Sequence, residues 1–156
     1  IPVEKRLEIA KGDQEFTEEE LGVSLSKEQI IELAKAEEFI LTISENGVGK
    51  RTSAYHYRIT NRGGSGIVNM VLSAKTGDVV ASMPANTNDE IMLITNNGKL
   101  IRCKLDSVRI TGRSTSGVIL FKTEKDERVV SASLIAEASE EEAQVEEDIE
   151  SESGSE

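Results

Sequence analysis

Two stretches of this chain match each other at a constant separation of 51 residues, the distance from Ile59 to Ile110. The segment "ITNRGGSGIV" (59–68) aligns with "ITGRSTSGVI" (110–119), and "ISENGVGKR" (43–51) aligns with "ITNNGKLIR" (94–102) without a gap. Self-similarity at a period of roughly 40–50 residues is typical of architectures built from stacked β-units, such as propeller blades. The repeat therefore predicts two copies of one small β-sheet.

Each unit has the pattern of a four-stranded blade, because short apolar runs rich in β-branched residues alternate with turn signals. The dipeptide Asn46-Gly47 and its equivalent Asn97-Gly98 favour tight hairpin turns, whose central residues need positive φ. We predict a mostly β fold with two blades, at 39–85 and 89–135. The predicted strands are "FILTIS", "GKRTSAYHYRIT", "GIVNMVLS" and "VVASM" in the first unit. In the second they are "EIMLIT", "KLIRCKL" together with "VRIT", "VILFKT" and "RVVSASLI".

The segments that flank the repeats have a different composition. Residues 1–38 predict helices, since Thr17 with Glu20 and Ser26 with Gln29 have the spacing of capping boxes. Residues 136–156 are acidic, rich in serine and nearly free of large apolar residues, which predicts a disordered tail.

Charge is segregated along the chain. The net charge is −11, yet the repeats at 39–135 hold thirteen basic and eight acidic residues. Residues 1–38 hold eleven acidic and five basic residues, and residues 136–156 hold ten acidic residues and no basic one. The repeats thus form a basic region between two acidic ones, and a basic surface of this kind can attract nucleic acid.

The basic residues recur at equivalent places in the two units, and several lie beside the glycine-rich loop of each unit. Arginine presents a planar fork of donors to phosphate, and glycine lets another backbone approach closely. We therefore predict a phosphate-contacting rim; the alternative is that these residues are solvated charges that protect strand edges from aggregation. The candidate contact residues are Lys50, Arg51, Arg58, Arg62, Gly63, Gly64, Gly66, Lys99, Arg102, Lys104, Arg109 and Arg113.

Other chemistry finds little support in the residues. The "GGSG" run lacks the lysine of a nucleotide-binding loop, so a phosphate-handling enzyme is disfavoured. His56 is the only histidine, so we expect no histidine pair for a metal or a proton relay. The lone Cys103 cannot form an internal disulfide, which fits a reducing cytoplasm. We also expect no membrane span, because no apolar run reaches the necessary length.

The repeats resemble a known family. The stretch "ILTISENGVGKRTSAYHYRITNRGGSGIVN" resembles a blade near the end of the C-terminal domain of the DNA gyrase A protein, and "EIMLITNNGKLIRCKLDSVRITGRSTSGVILF" resembles the final blade. The resemblance covers about residues 39–135 of a six-bladed β-pinwheel, and residues 1–38 resemble an insertion of alphaproteobacterial gyrases. It implies that the two blades are a fragment of a domain that wraps double-stranded DNA around a basic rim.

The resemblance also implies partners and cofactors outside this chain. They are the remainder of the gyrase A protein and the gyrase B protein, in a heterotetramer of two A and two B chains in the cytoplasm, associated with the nucleoid. ATP and Mg²⁺ would be bound by the B protein or by the missing core, so the fragment itself is expected to need no cofactor and to have no catalytic centre.

One motif departs from the family pattern. The wrapping box, Gln-Arg-Arg-Gly-Gly-Lys-Gly, belongs to the first blade, and "NRGGSG" here has Asn61 and Ser65 where the box has arginine and lysine. This predicts weak DNA binding by the two blades alone. Two alternatives stay open: the C-terminal domain of the topoisomerase IV A protein, and a propeller that serves as a protein-interaction module.

Overall fold

The described part of the chain consists of a helical segment followed by two β-sheets. The computed structural model describes residues 1–12 and 15–135. The predicted mostly β fold with an N-terminal helical segment is confirmed. The predicted disordered tail at 136–156 lies outside the described residues.

The helical segment contains three short helices, α1 (Val3–Lys11), α2 (Glu18–Leu21) and α3 (Lys27–Lys35). Both predicted capping boxes are confirmed, and each of them supplies partners for backbone N–H groups at the start of a helix. The helices enclose a small apolar cluster of their own. Its buried members are Ile9, Phe16, Ile30 and Ala34.

The first sheet has four antiparallel strands in the order β3-β1-β2-β6. Three of its strands come from the first unit: β1 (Phe39–Ser44), β2 (Val48–Ser53) and β3 (Val79–Pro84). The fourth, β6 (Val118–Ile119), comes from the second unit and pairs with the start of β2. The first blade is therefore completed by a strand from its neighbour.

The second sheet has three antiparallel strands in the order β5-β4-β7. They are β4 (Glu90–Thr95), β5 (Leu100–Lys104) and β7 (Val129–Ile135). One apolar cluster joins the two sheets, since it includes Leu41 and Ile43 of the first and Leu93 of the second. The two blades thus share a core.

Several predicted strands are shorter than expected or missing. Residues 66–73, predicted as the third strand of the first unit, contain no strand, and their place beside β2 is taken by β6. The long second strand predicted from Gly49 ends at Ser53, where a 3-10 turn begins. "VRIT" forms only one bridge, between Ile110 and Arg51. The sequence pattern within the first unit did not reveal that one strand of its sheet would come from the second unit.

Glycines permit the close packing of the second unit against the first blade. The carbonyl of Gly47 accepts hydrogen bonds from the N–H groups of Leu120 and Phe121, at 2.8 and 3.3 Å. A Cβ on Gly47 would lie 2.2 Å from the carbonyl oxygen of Phe121, and a Cβ on Gly117 would lie 2.5 Å from that of Gly49. The hairpin turn and the incoming strand can therefore touch only because they lack side chains at these points.

A buried carboxylate attaches the helical segment to the first blade. Glu37, which follows α3, accepts two hydrogen bonds from Arg6 of α1, at 2.9 and 2.7 Å, and one from the hydroxyl of Ser53, at 2.5 Å. The hydroxyl of Tyr55 donates to the carbonyl of Leu33 at 2.7 Å.

No helix among residues 1–12 and 15–135 is long and apolar enough to cross a bilayer.

Candidate nucleic-acid interface

The structure brings the two repeated loops into contact. The guanidinium of Arg113 donates to the carbonyls of His56 and Val68, at 2.9 and 2.8 Å. The N–H of Val71 donates to the carbonyl of Thr115 at 3.0 Å. The loop at 112–117 is therefore fixed against the loop at 56–71, and Arg113 serves as the brace between them.

Four of the predicted contact cations are exposed and form no ion pair within residues 1–12 and 15–135. Two of them, Arg58 and Arg109, occupy equivalent positions, each two residues after a 3-10 turn. Charges of this kind, solvated and not neutralised by a neighbouring carboxylate, are available to an anionic ligand. The four are Arg58, Arg62, Lys104 and Arg109.

Lys50 does not lie on the surface, so its predicted role as a phosphate contact is wrong. Its side chain is 0% exposed. Its ammonium donates to the carbonyls of Gly112, Arg113 and Thr115, at 3.0, 2.8 and 3.0 Å. Burial, together with the nearby charge of Arg113, lowers the pKa of Lys50 to about 8. The residue connects the two units instead of facing outward.

Arg51 is also buried, with 4% of its surface exposed, and the prediction of an outward arginine fails there too. Its Nε donates to the carbonyl of Val108 at 2.9 Å, and its Nη1 donates to the hydroxyl of Thr87 at 3.2 Å. Burial lowers the pKa of Arg51, although the charge of Asp106 acts against this. The guanidinium therefore connects two segments, the linker between the sheets at Thr87 and the end of a 3-10 turn at Val108.

Two cations of the second unit are exposed but paired with acids. Arg102 forms an ion pair with Glu90 on the neighbouring strand. Lys99 lies 3.5 Å from a carboxylate oxygen of Glu124 and 3.6 Å from one of Glu127. Glu127 also accepts a hydrogen bond from the backbone N–H of Glu124, which lowers its pKa together with the charge of Lys99. A phosphate would have to compete with these carboxylates.

The predicted glycines line an open loop. Gly63, Gly64 and Gly66 are exposed, and φ is +78° at Gly63 and +73° at Gly66. A Cβ on Gly63 or Gly66 would have no atom within 4 Å. The backbone of this loop is accessible, as a close approach to a ligand would require.

Two lysines that the repeat pattern did not reveal lie beside a groove of about 460 Å³. Lys75 and Lys122 line it together with Asn46, Ser73 and Ser116. The groove lies where β6 joins the first sheet. Neither lysine has a basic equivalent at the repeat offset, which pairs Lys75 with Asp126 and Lys122 with Val71, so a search for matched pairs could not find them.

A family model described as "DNA gyrase C-terminal domain, beta-propeller" matches residues 38–86 and 89–136. The DNA gyrase A protein of Rickettsia prowazekii is 69% identical to this chain over 142 residues, which are 91% of the chain and 16% of the relative. The DNA gyrase A protein of Granulibacter bethesdensis is 48% identical over 80% of the chain and 13% of the relative. The chain therefore spans only about a sixth of the length of the curated relatives it matches.

Solved structures give the same fold. The structure titled "Structure of DNA gyrase A C-terminal domain" matches with a TM-score of 0.60 and 27% identity, over 65% of this chain and 35% of the other. The C-terminal domain of DNA topoisomerase IV matches with a TM-score of 0.60 and 22% identity, over 70% of this chain and 35% of the other. At that identity the second match shows the fold alone.

Proposed function

Because this chain belongs to the DNA gyrase C-terminal β-propeller family, we propose that its two blades bind double-stranded DNA through exposed arginines of the repeated loops. The observation that carries the proposal is the set of four exposed cations without an acidic partner in the described residues, three of which lie on or beside the two loops joined by Arg113. Cations arranged in this way gain affinity by releasing counterions from phosphates, and they need not read bases.

The proposed contacts are fewer than the twelve that the sequence suggested. The set contains Arg58, Arg62, Lys104 and Arg109, together with the backbone of 63–66. Lys75 and Lys122 add two further cations at the groove. Lys50, Arg51 and Arg113 act indirectly, since each of them holds a loop in place.

In a longer protein, we propose that these blades contribute to the wrapping of DNA that supports negative supercoiling by a gyrase of A and B chains in the cytoplasm, near the nucleoid. The similarity to gyrase A proteins over most of the chain supports this role. ATP and Mg²⁺ would act elsewhere in that assembly. The two acidic flanks leave the basic repeats as the part of this chain that suits DNA.

Reversing the charge of Arg62 tests the proposal. We expect Arg62→Glu to weaken binding to DNA duplexes of two unrelated sequences about tenfold each at low salt, and to reduce the slope of log affinity against log salt by about 1–2. Fluorescence anisotropy at several salt concentrations measures both quantities.

A matched control is Lys11→Glu, the same charge change at an exposed residue of the helical segment. We expect it to have a much smaller effect. Equal losses for both variants would mean that only the net charge matters. If the unaltered chain showed no salt-dependent binding at all, the proposed DNA binding by these two blades would be refuted, and the alternative of a protein-interaction module would be favoured.

The acidic tail supplies a second prediction, which depends on the sequence alone because residues 136–156 lie outside the described part of the chain. A tethered polyanion stays at roughly millimolar effective concentration near the blades and can compete with DNA for their cations. We expect deletion of the residues after Ile135 to tighten DNA binding at low salt, with a gain that shrinks as salt is added. Titrations of both chains at matched ionic strength measure this, and equal affinities would leave the tail a solubilising role.

A further inference from the structure

Lys50 has an unusual environment for a lysine, because it is fully buried and no carboxylate lies against it among the described residues. Its amino group lies among four oxygen atoms. Three are the carbonyls of Gly112, Arg113 and Thr115, and the fourth is the hydroxyl of Thr115, at 3.3 Å. A lone buried charge is costly unless hydrogen bonds surround it. Here all the oxygen atoms that accept hydrogen bonds from Lys50 belong to one loop of the other unit.

The four oxygen atoms form a cage around the amino group, and the cage fixes the position of the loop that supplies them. The oxygen atoms that surround the amino group belong to residues 112–115. The carbonyl of Thr115 also accepts from the N–H of Val71, and that of Gly112 also accepts from the hydroxyl of Thr115. Within the described residues, only the carbonyl of Arg113 depends on Lys50 alone for a donor. Each buried carbonyl left without a donor costs about 1–3 kcal/mol. Lys50 therefore supplies the donor that the carbonyl of Arg113 otherwise lacks, and it connects the loop to the middle of β2.

The caged loop holds the rest of the interface. Arg113 lies within it and donates to the carbonyls of His56 and Val68. On one side of the loop, the N–H of Thr111 donates to the carbonyl of Arg51 at 2.8 Å, and on the other side β6 pairs with β2. A shift of the caged loop would move both arginine-bearing loops.

The repeat provides an internal comparison. At the offset of 51 residues, Lys50 corresponds to Ile101 and Thr115 corresponds to Gly64. The equivalent strand of the second unit therefore lacks the amino group, and the equivalent loop of the first unit lacks the hydroxyl. In the described residues no loop is docked on the outer side of β5, and the first unit's loop is open, with Ile59 102% exposed. The docked loop and the caged lysine occur together.

We propose that Lys50 is a positioning residue, whose buried amino group pins the 112–115 loop of the second unit to the first blade and so sets the place of the arginine-bearing loops. The pinning of the loop stands on the contacts alone. Its consequence for DNA rests on the proposed function.

Protonation of Lys50 provides a readout that a purely steric role lacks. The pKa of the buried amino group is lowered to about 8, mainly by burial and also by the charge of Arg113, whereas an exposed lysine keeps its ordinary value of 10.5. When the loop opens above pH 8, the amino group reaches water and takes up a proton. Raising the pH from 8 to 10 therefore lowers the equilibrium constant for opening of the loop, about tenfold for each pH unit when opening takes up one proton.

Two neighbouring groups set the limits of this readout. Arg113 is the charged group that acts on Lys50. Tyr57 is affected by Arg113 as well, but burial raises the pKa of its phenol above 10.0. Measurements that stop at pH 10 therefore report Lys50.

The test is amide hydrogen exchange of residues 109–119 in the full chain, by quench-flow mass spectrometry from pH 7 to 10, normalised to the intrinsic exchange rate at each pH. In the unaltered chain, we expect opening to be constant below pH 8 and to fall steeply above it. In Lys50→Met, which keeps an unbranched side chain one atom shorter and removes the donors, we expect about 10- to 100-fold more opening at pH 7 and no dependence on pH. Lys125→Met, an exposed lysine in a turn, is the control and should behave like the unaltered chain.

The results separate this proposal from the proposed function. A flat pH profile in the unaltered chain overturns the pinning role, and this measurement requires no variant to fold. Unchanged protection of 109–119 in Lys50→Met overturns it as well. If the exchange results are as expected, DNA titrations follow: Lys50→Met should weaken binding, and adding Arg62→Glu should cost less in Lys50→Met than in the unaltered chain. Loss of loop protection without any DNA binding by the unaltered chain would support the pin and refute the DNA role.

Discussion

Replacement of Glu37 by alanine is expected to detach the helical segment from the first blade, with a loss of about 3–5 kcal/mol in the free energy of its unfolding. The side chain of Glu37 is only 1% exposed, and its removal leaves Arg6 and the hydroxyl of Ser53 without their acceptor. Urea denaturation followed by amide exchange of α1 and α3 measures the loss. Glu38→Ala, a change at the next and exposed residue, is the matched control and should alter stability by less than about 0.5 kcal/mol.

The same carboxylate predicts a dependence on pH. Burial by itself raises the pKa of Glu37, but the hydrogen bonds from Arg6 and Ser53 and the charge of Arg6 outweigh burial, so the pKa lies below its ordinary value of 4.5. A group whose folded pKa is lowered stabilises the fold above its unfolded pKa and loses that contribution as the pH falls through the folded value. We therefore expect the difference between Glu37→Ala and the unaltered chain to be full at neutral pH and to diminish below about pH 4.5. A difference that stays constant down to pH 2 would contradict the ion pair as its cause.

Alanine at Gly47 is expected to destabilise the pair of blades far more than alanine at Gly98, although the two glycines occupy equivalent positions in the repeat. Both have positive φ, +73° at Gly47 and +80° at Gly98, so each substitution carries a backbone cost of about 1–2 kcal/mol. At Gly47 the new Cβ would also lie 2.2 Å from the backbone oxygen of Phe121, whereas at Gly98 nothing lies within 4 Å. The clash adds about 1–3 kcal/mol at Gly47 alone.

Thermal and denaturant unfolding of both variants checks this prediction. Because Gly98→Ala has the same strained backbone, the difference between the two variants isolates the contact between the first blade's turn and the second unit. Equal destabilisation would show that residues 120–121 do not pack on this turn in solution. Increased exchange of the Leu120 and Phe121 amides in Gly47→Ala would identify the contact directly, since both donate to the carbonyl of Gly47.

Local sequence signals predicted the elements that depend on neighbouring residues. Both capping boxes are present, since the partners in each box are only three residues apart. The strands β1, β4 and β7 begin and end close to their apolar runs. The resemblance drawn from the repeats is confirmed by the family model and by the relatives.

Local sequence signals did not predict the burial of residues that contact distant segments of the chain. Arg51 and Arg102 have equivalent positions in the repeat, yet Arg51 is buried and Arg102 is exposed and paired with Glu90. The difference arises because the second unit's 109–119 segment covers the edge of β2, while nothing in the described residues covers β5. Alignment of the two units predicts the same environment for both arginines, because it does not show which strand edge is covered by another segment.

Periodicity, capping and composition are properties of neighbouring residues, and they were enough to establish two related β-units, a helical segment in front of them and basic residues concentrated in the repeats. Which of those basic residues face water depended on the packing of the two units. Lys50 became the pin of a loop and Arg113 a brace, while Arg58, Arg62 and Arg109 stayed exposed. The physical reason is that the burial of a charge depends on which segment packs over it, and for Lys50 that segment lies about sixty residues further along the chain.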